Sequence, residues 1–201
     1  PGESVQQRHF YSTTWVSLLP LAFKRYALKD LLARVAPYTR ARGEGLDGFV
    51  KLGAWLRGWS TEGKNRVALL LPAALEGVGP LVSRLVEPSL LHGDQSILVS
   101  YYDGRAPPVP VTGAEDIVYV RLAIQGQDDP STSRARFLET QGQSVATIVL
   151  PEGRSGDPLS GRGTEAFLAL MDGLEKTINA ISLLRGDNPV APIALPEFDR
   201  L

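Results

Sequence analysis

Five apolar residues run unbroken through Val67–Leu71 in NRVALLLP, bounded by Asn65 and Arg66 on one side and Pro72 on the other. So short a run, apolar at every position, fits a strand buried on both faces. SILVSYYDG (96–104), EDIVYVRLAI (115–124) and SVATIVLP (144–151) read as further strands, and PVAPIAL (189–195) as a short last one. Between them lie helical patterns: AALEGVGPLVSRLVE with a break near Gly79-Pro80, Pro130 to about Gln141, and Thr164 to about Leu184. Helices alternating with buried strands predict one α/β domain, with a largely parallel, twisted sheet of about five strands flanked by helices.

Ahead of the first strand the period is helical. Leu18, Leu21, Ala22, Leu28, Leu31, Leu32 and Val35 recur at three- and four-residue steps, which predicts a long N-terminal helix over residues 10–42, kinked or restarted at Pro20. RGEGLDGFVKLGAWLRGW is expected to be a loop with a short helix carrying Trp55 and Trp59. DGRAPPVPVTG (103–113), with its prolines and alternating valines, predicts an exposed ribbon or loop.

At 201 residues the chain suits a single domain spanning 1–201. No run of eighteen apolar residues appears, and the start has no secretory pattern, so a cytoplasmic location is expected. The chain opens at PGES without Met, as a domain cut from a longer protein would.

Several chemistries are disfavoured by what the chain carries. A net charge of −1 argues against DNA or RNA backbone binding, which needs a basic excess. Without cysteine there is no thiolate nucleophile, and the two histidines, His9 and His92, are far apart. No metal site and no resident cofactor are therefore expected. GWSTEGKN (58–65) approaches a phosphate-cradling loop, but Asn65 replaces the hydroxyl that holds magnesium, and the segment precedes a strand, so it reads as a turn. GRGTEAF (161–167) reads as a helix start with Thr164 as a plain cap. No G-x-S-x-G elbow is present. The carboxylate pairs Glu115/Asp116 and Asp128/Asp129 fit solvated or capping groups better than acid–base catalysts. The chain is not expected to be an enzyme.

QDDPSTSRARFLET (127–140) is furnished beyond the needs of a helix start. Pro130 suits the first turn, and one of Asp128 and Asp129 suffices as cap. The other carboxylate, with Ser131, Thr132 and Arg134, is left over at the carboxyl end of a strand, where ligands bind in α/β folds. A carboxylate accepts from the N–H edge of guanine, and hydroxyls and arginine suit phosphate. Phe10, Tyr11 and Trp15 offer either packing or a stacking surface for a base.

These residues carry a resemblance. DDPST (128–132) is similar to the Asp-x-Pro-Thr-Thr segment of the bacterial cyclic-dinucleotide-binding STING domains, and RARFLETQGQSVATIVLPE resembles the helix–turn–strand of the animal members. RVALLLP resembles their first core strand, and DGRAPPVPVTG falls where their β-ribbon lid lies. The order of elements agrees over nearly the whole chain. The resemblance implies a symmetric homodimer with one cyclic dinucleotide in its cleft. Tyr11 or Trp15 would stack on a base, the lid arginine Arg105 would meet phosphate, and Asp128, Ser131, Thr132 and Arg134 would line the pocket. Its implied role is a sensor in antiphage or innate immune signalling, with cyclic di-GMP as first choice of ligand. Ligand would trigger oligomerisation, with a filament as one form open to it, of a fused TIR or transmembrane effector outside this sequence. YSTTWVSLLP departs from the family's Gly-Tyr and Asn-Phe pairs. Asp129 and Ser131 stand where animal members have arginine and tyrosine, and their later glutamate falls at Pro151 or Glu152. Two other readings are a Rossmann-like nucleotide- or sugar-processing enzyme using Asp128 or Asp129, and a protein-interaction scaffold built on the Tyr11/Trp15 face.

Overall fold

The structure is a computed structural model that describes residues 48–90, 96–102, 115–152 and 164–186, with Lys29 and Ala33 as isolated helical positions. The rest of the N-terminal helical segment 10–42, the lid 103–113 and the closing strand 189–195 lie outside the described residues.

The first described element is α1, Gly48–Thr61. It is longer than its glycine-spaced sequence suggests, because Phe49, Leu52, Gly53 and Leu56 fall on one face and are all buried. GWSTEGKN closes this helix as a turn. The Gly63 and Lys64 N–H groups donate to the carbonyls of Ser60 and Trp59 at 3.2 and 2.9 Å, with Gly63 at a φ of 87° that favours glycine.

Then follow β1 (Arg66–Leu70), a 3-10 segment (Ala73–Val78), α2 (Gly79–Leu90), β2 (Leu98–Tyr102), β3 (Ile117–Ile124), α3 (Pro130–Thr140), β4 (Val145–Leu150) and α4 (Thr164–Arg185). The expected helix break at Gly79-Pro80 is where the 3-10 segment passes into α2, since proline suits a first helical turn. The four strands form a parallel sheet of order β2-β1-β3-β4. The expected architecture of a largely parallel sheet flanked by helices is what the described residues show.

The topology fixes which helix covers which face. From the central pair, β1 crosses outward to β2 and β3 crosses outward to β4, in opposite directions. Right-handed crossovers must then lie on opposite faces. Val67, Leu69, Val118, Val120 and Leu122 accordingly pack with α1, α2 and α4, whereas Ala68, Leu70, Ile117 and Tyr119 pack with α3. β1 and β3 are buried almost throughout, as their unbroken apolar runs predict, and the outer strands β2 and β4 carry most of the exposed positions.

Candidate functional site

The sheet order reverses between β1 and β3, and the crevice at their carboxyl ends is where such sheets take ligands. The loop from β3 to α3 crosses it. Gln125 extends the pairing by donating to the Leu150 carbonyl at 2.9 Å, and Gln127 N–H turns back on Ile124 at 3.1 Å. Between them Gly126 has a φ of 74°, and a β-carbon there would sit 2.9 Å from the Glu152 carboxylate. Glu152, which follows β4, thus closes over the loop.

The two aspartates divide as their order suggests. Asp129 is the N-cap of α3: its Oδ1 accepts the Ser131 N–H at 2.6 Å, and Pro130 takes the first turn. Its Oδ2 accepts the Ala73 N–H at 3.0 Å, tying the segment after β1 to the start of α3. Both oxygens of a carboxylate only 8% exposed are engaged by backbone. Asp128 is exposed, and its Oδ1 accepts the Asp129 N–H at 3.1 Å.

Ser131 and Thr132 have a partner that sequence did not supply. Arg121 donates from Nε to Ser131 Oγ at 3.2 Å and from Nη2 to Thr132 Oγ1 at 2.6 Å. Ser131 is 2% exposed, while Thr132, Arg134 and Arg121 are half-buried. These hydroxyls therefore orient a guanidinium. The signal for Arg121 was present: it is the one charge inside IVYVRLAI, and the only residue of β3 that is not buried.

The structure thus brings Asp128, Ser131, Thr132 and Arg134 together at one helix start. Tyr11, Trp15 and Arg105 lie outside the described residues. Glu115 and Asp116 are at the opposite, amino edge of the sheet, where Asp116 pairs with Arg66 at 3.7 Å. At that edge too, Trp55 meets Trp59 edge to face, and Lys64 Nζ lies 4.0 Å from the Trp59 ring centre. On the face that α3 covers, burial and then the neighbouring Tyr102 hydroxyl push the Tyr119 phenol up, against the opposing pull of Arg66. Among the described residues no cluster of three His, Asp or Glu side chains could hold a metal ion. Nor is any described helix long and apolar enough to cross a membrane.

Comparison with known proteins adds no relative: no family model, curated protein or solved structure matches the chain.

Proposed function

We propose that this domain is a cyclic-dinucleotide sensor that binds without catalysing a reaction. The observation that carries the reading is that the start of α3, at the carboxyl end of β3, presents an exposed Asp128 carboxylate and, held by Ser131 and Thr132, a separate guanidinium. Asp128 suits the N–H donors on the guanine edge, and a cation beside it suits phosphate. Cyclic di-GMP is therefore the ligand of choice. In the homodimer that the resemblance implies, one ligand bridges two protomers. Tyr11 or Trp15 stacks on a base, and Arg105 closes over the phosphates. Binding then shifts the population of dimers towards the form that activates a fused TIR or membrane effector, with filaments as one outcome. An enzyme using Asp129 as base is disfavoured, because both its oxygens already accept backbone N–H groups.

A thermal-shift panel of cyclic dinucleotides and mononucleotides, run on the wild type and on Asp128→Ala, tests the reading. Cyclic di-GMP at a hundred times its dissociation constant should stabilise the wild type by about 2.7 kcal/mol, and Asp128→Ala should lose that shift. No shift with any cyclic dinucleotide sinks the reading, as does conversion of the ligand to product.

A further inference from the structure

We infer that the Arg121 guanidinium is an oxyanion subsite and that the group it receives is a phosphate of the ligand, a step that rests on the nucleotide reading above. A guanidinium has five N–H donors. Two are taken here, by Ser131 Oγ and Thr132 Oγ1, and both acceptors are neutral. Among the described residues no carboxylate comes within ion-pair distance of Arg121. Its neighbours in register are Leu70 on β1 and Thr147 on β4, so no counter-charge flanks it across the sheet either. A half-buried guanidinium with no counter-charge beside it is free to take an oxyanion. Two hydroxyls disperse the charge and leave it unneutralised.

The guanidinium is also oriented and reachable. Ser131 is buried, and with Thr132 it anchors the Nε and Nη2 corner of the fork. That leaves both N–H groups of Nη1 and one of Nη2 without a partner among the described residues. Towards β4 the approach is open, since Thr147 and Val149 are exposed. A fork held in one plane with spare donors suits two oxygens of a phosphate better than a point charge does. The end of α3 does not supply the site. Its Ser131 and Thr132 N–H groups are taken by the Asp129 side chain and carbonyl, so Arg121 carries the anion.

The test is calorimetric titration of the full chain with cyclic di-GMP and with pyrophosphate, at several salt concentrations. The variants are Arg121→Gln, Arg121→Lys and Thr132→Val. Arg121→Gln should weaken cyclic di-GMP at least tenfold and flatten the salt dependence of binding. Arg121→Lys should weaken it less and keep the salt dependence, and so should Thr132→Val, which loosens the fork but leaves the charge. A merely structural Arg121 would lower affinity without changing its response to salt. Cyclic di-GMP binding with unaltered salt dependence in Arg121→Gln overturns the subsite and leaves the nucleotide reading standing. Pyrophosphate binding that needs Arg121, with no binding of cyclic di-GMP, does the reverse. Failure of the wild type to bind either ligand overturns both.

Discussion

The Asp129 carboxylate joins two segments 56 residues apart, accepting the Ala73 N–H on Oδ2 at 3.0 Å while its Oδ1 caps α3. The crevice between β1 and β3 is thus tied together at its rim by one side chain. Asp129→Ala removes a cap, at about 1 kcal/mol, and strands a second backbone donor, at about 1–3 kcal/mol. Chemical denaturation should show a loss of about 2–4 kcal/mol. Asp128→Ala removes only an exposed acceptor, so its stability should stay within about 1 kcal/mol of the wild type. Equal losses in the two variants would show that the adjacent carboxylates do not divide their roles.

Two glycines of α1 should respond to alanine with opposite signs. A β-carbon on Gly53 would lie 2.7 Å from the Thr177 carbonyl oxygen and from Ala180 Cβ, both on α4. The carbonyl is backbone and cannot rotate away, so Gly53→Ala should destabilise by about 1–3 kcal/mol despite its better helix propensity. Gly58 is exposed, with nothing within 4 Å of the same position. Gly58→Ala should therefore stabilise by about 0.5–1 kcal/mol. Urea midpoints of the two variants on either side of the wild type check the pair.

Those glycines also mark where sequence reading stops. β1 and β3 were legible because a strand buried on both faces needs apolar residues at every position. The start of α3 was legible because Asp, then Pro, satisfies a local rule. α1 was read too short, since Gly48, Gly53 and Gly58 disfavour a helix locally, and what demands Gly53 is the close crossing of α4. The site divides in the same way. Asp129 as cap follows from adjacency, whereas the bond from Arg121 to Ser131 and Thr132 links a strand to the helix after it. That bond exists only once the crossover has folded.

Between the sheet and its three-helix face, Leu69, Val82, Val99, Val120, Leu174 and their neighbours line an apolar cavity of about 30 Å³. Its walls offer no polar partner for a water, so the volume is a packing loss. At about 24 cal/mol per Å³ the void costs about 0.7 kcal/mol, and Val99→Ile, which adds one methylene from a strand position, should recover up to that amount. A lower melting temperature in Val99→Ile would mean that the walls cannot give way to the added carbon.

Glu175 on α4 contributes a pH dependence of its own. Burial, reinforced by the Asp172 carboxylate and opposed by Lys176, raises its carboxyl to about 7. Lys176 itself pairs with Asp172 at 3.1 Å, which blunts its help to Glu175. Because the folded value lies above the unfolded one, the folded state holds this proton more tightly. The resulting stability is fully present below about pH 4.5, the ordinary value, and is lost as pH rises through about 7. Glu175→Gln keeps the shape of the neutral acid and has nothing to ionise. Melting temperatures taken between pH 5 and pH 8 should therefore fall more steeply in the wild type than in Glu175→Gln, with the variant the more stable of the two at pH 8. Parallel curves across that range would show that the Glu175 carboxyl ionises as freely in the fold as in the unfolded chain.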